Sequence, residues 1–175
     1  ACATGSAAPG GCAPGSGAPT AGMPICTRCA AGSYQGGEGA TACLECTEHS
    51  WCGEGSSAPT PCEAGTVGRL PGLKNASQCE PCPPGSWCSA GVEINCTSGS
   101  FNPDPRQTDQ GACVPCPTDA ESLEGSASPD ACLCRPGFYK CSAPDACPRP
   151  DGDEVECVPC PVGANCTDLG VVFAH

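Results

Sequence analysis

Regularly spaced cysteines constrain this chain more than any other feature of its sequence. The 175 residues contain 21 cysteines, and the pattern Cys-x-x-Cys recurs five times. A second pattern, Cys-x-x-Gly followed by Ser or Thr and then an apolar residue, begins at Cys29, Cys62 and Cys96. Recurrence at nearly fixed spacing indicates tandem copies of one small unit. The Cys-x-x-Cys pairs are Cys26/Cys29, Cys43/Cys46, Cys79/Cys82, Cys113/Cys116 and Cys157/Cys160.

The low content of bulky apolar residues excludes a conventional hydrophobic core. Leu, Ile, Val and Phe number only 19 of the 175 residues, a level that with high net charge normally indicates disorder. Cysteine above about 8–10% instead indicates a scaffold in which disulfides replace apolar burial. We therefore expect a small disulfide-rich fold, in which tandem cysteine-rich repeats form an elongated rod. Pro and Gly interrupt every apolar period, so we expect little helix and short irregular strands.

Charge and hydropathy exclude several classes of partner. Seven Lys and Arg stand against 19 Asp and Glu, a formal net charge of −12, and no basic cluster is present to neutralise nucleic-acid phosphates. The longest apolar run, 170–174, is far shorter than the roughly 20 residues of a membrane helix. Disulfides require an oxidising compartment, so we expect an extracellular or cell-surface protein. The chain begins at Ala1 and ends at His175 soon after a cysteine unit opens, so we expect a processed product or a fragment.

Residues 113–147 depart from the simple unit. Within them, residues 132–139 read Cys-Leu-Cys-Arg-Pro-Gly-Phe-Tyr, the Cys-x-Cys-x-x-Gly-aromatic form of the second half of an EGF-like module. Together with Cys-Val-Pro-Cys at 113–116, this stretch resembles the ephrin-receptor-like cysteine-rich repeat, which belongs to a broad class found in growth-factor and tumour-necrosis-factor receptors. The resemblance covers roughly residues 26–166 and implies a disulfide-linked architecture. Such modules serve as receptors, adhesins, spacers and matrix proteins.

These patterns divide the chain into four segments. We expect a Gly/Ala/Pro-rich arm over 1–25, tandem cysteine-rich repeats over 26–112, an ephrin-receptor-like or EGF-like repeat over 113–156, and the start of a further repeat over 157–175. In a lone chain the arm would be a flexible linker. In an assembly we expect it to lie against another copy, or another chain, because its own repeats offer few apolar residues to bury it.

Pairing cysteines with their neighbours along the chain predicts most of the disulfides. The order within Cys134, Cys141, Cys147 and Cys157 stays open. Cys2, Cys12 and Cys26 also remain, and an odd number implies either a crosslink to another chain, most simply through Cys2, or a partner beyond the ends of this sequence. The predicted bridges are Cys29–Cys43, Cys46–Cys52, Cys62–Cys79, Cys82–Cys88, Cys96–Cys113, Cys116–Cys132 and Cys160–Cys166.

No catalytic residue, metal ligand or bound cofactor is expected. The Cys-x-x-Cys pairs could hold zinc or act in redox chemistry, but the single cysteines between them favour structural disulfides. His49 and His175 are isolated and are expected to face solvent. The acidic stretch 151–154 lacks the remaining ligands of a calcium loop and is expected to be an exposed turn. Trp51 and Trp87, at matching repeat positions, could stack on sugars, although covering a disulfide is the interpretation we favour.

Three sequons predict covalent glycans. Asn-x-Ser/Thr occurs at Asn75, Asn95 and Asn165, and the secretory context makes modification of such sites plausible. We expect a glycan at Asn75 and at least one of the other two. Asn95 and Asn165 each precede a repeat cysteine, whose bridge can close before the sugar is transferred.

The combined pattern favours a structural function. We expect a subunit of an extracellular, glycosylated filament or of a cell-surface or flagellar appendage, with copies of itself or other extracellular structural chains as partners. The alternative is a receptor or adhesion ectodomain that presents a ligand-binding surface. We expect no enzymatic activity, because a catalytic nucleophile needs a rigid pocket that this composition does not favour.

Overall fold

Short paired strands dominate the secondary structure. A computed structural model of the chain describes residues 11–18, 25–140, 157–162, 164–167 and 170–173. The described residues form eighteen strands of two to four residues in nine two-stranded sheets, each built from two consecutive strands. The strands are β1 (Ser16–Gly17), β2 (Thr27–Arg28), β3 (Ser33–Tyr34), β4 (Leu44–Glu45), β5 (Ser50–Trp51), β6 (Thr60–Pro61), β7 (Thr66–Val67), β8 (Glu80–Pro81), β9 (Ser86–Ser89), β10 (Val92–Asn95), β11 (Ser100–Phe101), β12 (Val114–Pro115), β13 (Ala120–Glu121), β14 (Leu133–Cys134), β15 (Phe138–Lys140), β16 (Cys157–Pro159), β17 (Ala164–Thr167) and β18 (Gly170–Phe173).

Helical structure in the described residues is limited to three 3₁₀ turns. They are Ala76–Gln78, Gln110–Ala112 and Pro129–Ala131. Each turn leads directly into a cysteine, and each is capped by the side chain of the preceding residue. The predicted disulfide-rich fold with little helix and short strands is therefore confirmed.

One repeating unit underlies all of these hairpins. Each repeat begins with an opening cysteine; we call the third residue after it the turn residue and the sixth residue after it the acceptor residue. The repeats open at Cys12, Cys29, Cys46, Cys62, Cys82, Cys96, Cys116, Cys134 and Cys160. Every described turn residue has a positive φ: Gly15 (82°), Gly32 (91°), His49 (67°), Gly65 (78°), Gly85 (86°), Gly99 (81°), Asp119 (62°) and Gly137 (91°).

The local turn explains why the sequence reads Cys-x-x-Gly-Ser. In a β-turn with positive φ at its third position, glycine is favoured there because it has no Cβ to clash with the backbone. The residue after the turn residue closes the turn, as when the Ser33 N–H donates to the Ala30 carbonyl at 3.0 Å. The hydroxyl of Ser33 donates to the same carbonyl at 2.7 Å. Proline, whose fixed φ suits the second position of such a turn, stands there at Pro14, Pro84 and Pro136.

The chain divides into two compact units built from these repeats. The first comprises Ala1–Cys82 and Cys88–Glu93, and the second comprises Pro83–Trp87 and Ile94–His175.

Within the first unit, backbone hydrogen bonds join each repeat to the next through the turn residue. The Gly32 N–H donates to the carbonyl of the acceptor residue Cys52 at 2.8 Å, and the Gly32 carbonyl accepts from the opening Cys46 N–H at 2.9 Å. The backbone N–H and the backbone carbonyl of Gly32 therefore both form hydrogen bonds with the next repeat. The equivalent donor–acceptor pairs in this unit are Gly15–Gln35, His49–Gly68 and Gly65–Cys88.

The second unit repeats the same bonding. The Gly85 N–H donates to the Asn102 carbonyl at 2.7 Å, and the Gly99 N–H donates to the Ser122 carbonyl at 3.0 Å. Because buried backbone groups must find partners, one hydrogen-bonding rule satisfies six of the eight described turns, four in the first unit and two in the second.

Residues 11–18 are the first of these repeats and correct the expectation for the arm. Cys12 is bridged to Cys26, and β1 pairs antiparallel with β2. The Gly15 N–H donates to the Gln35 carbonyl at 2.7 Å. The expectation that this segment would dock on another copy, rather than on its own repeats, is therefore wrong for residues 11–18. Backbone hydrogen bonds and a disulfide hold it, so the scarcity of apolar side chains does not matter.

Glycine at two turn residues allows a matched test of this packing. A Cβ on Gly85 would lie 2.2 Å from the carbonyl oxygen of Gly125, whereas a Cβ on Gly99 would meet no described atom within 4 Å. Gly99→Ala should cost about 1 kcal/mol of unfolding free energy from left-handed strain alone. Gly85→Ala should cost at least about 2 kcal/mol, because the overlap adds to that strain. Guanidinium unfolding with the disulfides intact measures both, and equal losses would contradict the Gly85–Gly125 contact.

Candidate functional site: disulfides and sequons

Disulfides are the most regular feature of the candidate site. The described residues contain nine, and each repeat contributes its opening cysteine to one of them. Six close loops of 14 to 23 residues, and three join the opening cysteine to the acceptor cysteine six residues later. The bridges are Cys12–Cys26, Cys29–Cys43, Cys46–Cys52, Cys62–Cys79, Cys82–Cys88, Cys96–Cys113, Cys116–Cys132, Cys134–Cys157 and Cys160–Cys166.

The structure joins the same seven pairs that neighbour pairing predicts and adds two that the sequence left open. Cys12 pairs with Cys26, and Cys134 pairs with Cys157. Cys2, Cys141 and Cys147 lie outside the described residues, so the intermolecular role considered for Cys2 stays a prediction.

Sulfur atoms replace aliphatic side chains in the buried interior. Cys82 and Cys88 are fully buried and pack with Val67, which is 2% exposed. Val67 therefore covers the neighbouring Cys82–Cys88 disulfide. Trp51 and Trp87 are half-buried, and their roles, over a disulfide or against sugars, stay predictions.

Asn102 is a buried polar residue that the sequence patterns did not single out. It is 1% exposed and stands at the acceptor position, where three other repeats carry cysteine. Its Nδ2 donates to the Ser86 carbonyl at 2.8 Å, and its Oδ1 accepts from the Asp104 N–H at 3.0 Å. Asn102 thus holds two backbone segments together by hydrogen bonds in a repeat that lacks an acceptor cysteine. Its register six residues after Cys96 was the signal that could have identified it.

Removing the Asn102 side chain should be costly. Asn102→Ala deletes two hydrogen bonds inside a buried site, and we expect a loss of about 2–3 kcal/mol of unfolding free energy. Gln35 is the matched control, since it is an acceptor residue whose amide bonds the Ala42 carbonyl at an exposed site. Gln35→Ala also deletes two hydrogen bonds, one to the Ala42 carbonyl and one from the Gly37 N–H, but it should cost under about 1 kcal/mol because water can replace both at this exposed site. Similar losses for both variants in guanidinium unfolding would contradict the role assigned to Asn102.

The three sequons have different surroundings. Asn75 is exposed and caps the first 3₁₀ turn, with its Oδ1 accepting from the Ser77 N–H at 3.1 Å. Asn95 ends β10, and its side chain bonds residues of two other segments. Asn165 lies in β17 beside Cys166, and its side chain lies outside the described part of the structure.

The remaining candidate residues show no catalytic grouping where the structure describes them. His49 is a turn residue whose Nδ1 lies 3.0 Å from the Gly91 carbonyl, so it is half-buried rather than solvent-facing as expected. His175 and residues 151–154 lie outside the described residues. No cluster of three or more His, Cys, Asp or Glu suited to a metal ion occurs among the described residues. In the same part of the chain, no helix has the length and apolar character needed to cross a bilayer.

Two open clefts in the second unit each contain one ion pair among their described lining residues. The first, of about 650 Å³, contains Asp130 and Lys140, which lie 3.9 Å apart as an ion pair. The second, of about 840 Å³, contains Glu121 and Arg135, whose charged groups lie 3.6 Å apart. In each cleft the two charged side chains face each other.

Comparison with known proteins adds no family to this description. No protein-family model matches the sequence, and no curated protein is significantly similar to it. The disulfides and the repeat geometry therefore define the chain as a disulfide-rich, cysteine-repeat protein.

Reduction should collapse this structure. The interior contains few bulky apolar side chains, and each long disulfide loop contributes roughly 3 kcal/mol by restricting the unfolded chain. We expect the protein to resist protease without reductant and to be digested rapidly once the bridges are reduced. A parallel sample treated only with a metal chelator serves as the control and should stay resistant. Protease resistance that persists after complete reduction would contradict the disulfide account.

Proposed function

We propose that this chain is a structural subunit of an extracellular, glycosylated filament or of a cell-surface or flagellar appendage, built from ephrin-receptor-like cysteine-rich repeats. The observation that carries the proposal is the uniform use of the repeats for internal bonding. Six of the eight described turn residues donate to the next repeat, and each repeat contributes its opening cysteine to a disulfide. A chain whose repeated geometry makes its own repeats rigid suits a mechanical role.

The proposed mechanism is resistance to extension. A disulfide prevents the residues inside its loop from unravelling under tension, because the load passes through the sulfur–sulfur bond. The loops reach 17 residues at Cys62–Cys79 and 23 at Cys134–Cys157. Outside the loops, short hairpins and the turn-residue hydrogen bonds connect neighbouring repeats within each unit. Such a chain would lengthen little before a covalent bond had to break.

The resemblance to receptor modules supports a second candidate, a receptor or adhesion ectodomain. Leu44, Leu123 and Leu133 are 52%, 82% and 51% exposed, respectively. Exposed apolar side chains of this kind can contribute to a ligand-binding surface. This candidate requires saturable binding of a separate ligand and does not require self-assembly.

Cys2 offers one possible covalent joint between subunits. An argument against this role comes from the sequence, since residues 2–12 and 52–62 share the pattern Cys-x-x-Gly-Ser-x-Ala-Pro-x-x-Cys. This register aligns Cys2 with Cys52, whose partner Cys46 lies six residues earlier. It favours a partner upstream in the same polypeptide over a link between chains.

Imaging and electrophoresis of native material test the proposal together. We expect negative-stain images at high protein concentration to show filaments or ordered assemblies, whereas single dispersed particles would contradict a filament subunit. The same material is denatured gently and run on a gel with and without reductant. Larger species that disappear with reductant would indicate a covalent joint, and a monomer band in both lanes would exclude it.

A further inference from the structure

The cap at Asn75 recurs with other residues in the equivalent turns. Each of the three 3₁₀ turns is preceded by an extended residue whose side-chain oxygen accepts a hydrogen bond from the backbone N–H two residues later. These residues are Asn75, Asp109 and Ser128. Asp and Ser carry out this role without an amide nitrogen. The fold therefore needs only the Oδ1 of Asn75, and the Nδ2 has no structural task.

The surroundings of Asn75 leave that nitrogen accessible. Residues 74–78 are all exposed. The Ser77 hydroxyl and the Ser77 N–H both donate to the Asn75 Oδ1. No described residue accepts a hydrogen bond from the Asn75 Nδ2, so the nitrogen faces solvent next to the serine that completes the sequon.

Asn95 is placed differently. Its Oδ1 accepts from the Ser86 hydroxyl at 3.0 Å, and its Nδ2 donates to the Glu124 carboxylate at 3.3 Å. A Cβ on Gly125 would lie 3.5 Å from the Asn95 Cγ, so the amide also packs against that turn. Asn95 is also exposed, so it differs from Asn75 in its contacts and not in its burial: both ends of its side chain make contacts that connect three segments of the second unit.

The structure describes the asparagine side chains of two sequons, Asn75 and Asn95. We propose that Asn75 carries an N-linked glycan and that Asn95 is a structural residue that stays unmodified. The donor would be an oligosaccharide linked to a polyprenyl diphosphate. The Asn75 Nδ2 forms a bond to the sugar C1, the bond from C1 to the diphosphate oxygen breaks, and the amide proton is lost as the diphosphate leaves. This inference deepens the proposed function, since it presumes that the chain is secreted.

Site-resolved glycan mapping tests the proposal on the full chain secreted from eukaryotic cells. The secreted protein is first shown to be disulfide-intact on a non-reducing gel. Release of N-glycans by an amidase in ¹⁸O-water then converts each modified Asn into a labelled Asp, which peptide mapping locates. We expect label at position 75 and none at position 95. Label at 95, or unlabelled Asn75, would overturn the proposal.

Matched variants separate the two roles. Asn75→Asp keeps the capping oxygen and removes the acceptor nitrogen, so it should lose the mass of one glycan. Ser77→Ala should lose the same mass. The Asn95→Asp variant should keep the mass of the Asn75 glycan. It should unfold about 2–4 °C lower than the unsubstituted protein, because the new carboxylate would face that of Glu124. An unchanged unfolding temperature for Asn95→Asp would contradict the structural role.

The outcomes distinguish this inference from the proposed function. A disulfide-intact, secreted protein that assembles into filaments with a bare Asn75 would overturn the inference alone. A protein that carries its glycan at Asn75 but stays dispersed would contradict the filament proposal and leave the modification site standing.

Discussion

The hydrogen bond from the turn residue to the acceptor carbonyl of the next repeat, which six described turn residues make, is the interaction on which both units depend. It forms only because the turn residue is left-handed, which directs its N–H out of its own turn and toward the neighbouring repeat. Glycine meets this requirement without strain at most repeats. The disulfide at the opening cysteine then fixes where the turn begins, so the covalent and the hydrogen-bonded constraints act on residues only three positions apart. Neither constraint depends on large apolar side chains, which explains how so sparse a composition can be ordered.

His49 and Asp119 show how far this geometry tolerates a change of residue. Both adopt the left-handed conformation, at φ of 67° and 62°, that costs an ordinary residue about 1–2 kcal/mol. His49 offsets part of that cost through its Nδ1 contact with the Gly91 carbonyl. It also needs Gly91 itself, because a Cβ there would lie 2.0 Å from the His49 carbonyl oxygen. The atoms that a Cβ at Gly91 would meet belong to the His49 backbone, so the close approach of the two segments, and not the His49 side chain, requires this glycine.

The sequence predicted the covalent framework better than it predicted the packing. Cysteine spacing leads directly to the bridges, since neighbours in the chain are also neighbours in space. The repeats that open at Cys12, Cys46 and Cys116 were missed for two reasons. His49 and Asp119 hide the glycine signal, and the Gly/Ala/Pro composition around Cys12 resembles a linker. The hydrogen bonds between repeats could not be predicted, because they join backbone N–H and carbonyl groups. Nearly every residue carries these groups, so the side chains do not show which of them will pair. Asn102 was missed for another reason, since only its register, six residues after Cys96, shows that it occupies a position where three other repeats carry cysteine.

Because backbone groups make most of the described hydrogen bonds between repeats and a disulfide closes each repeat, most other side chains are left to the surface. This separation lets an acidic surface, sequons and exposed leucines vary without disturbing the fold, which is the property expected of a module that serves many extracellular roles. Asn75 illustrates it within a single side chain, where one atom caps a turn and the other faces solvent. Asn95 illustrates the limit, since a sequon whose amide connects three segments belongs to the packing. In this chain, a sequon is therefore better judged by what its amide nitrogen contacts than by its three-residue pattern.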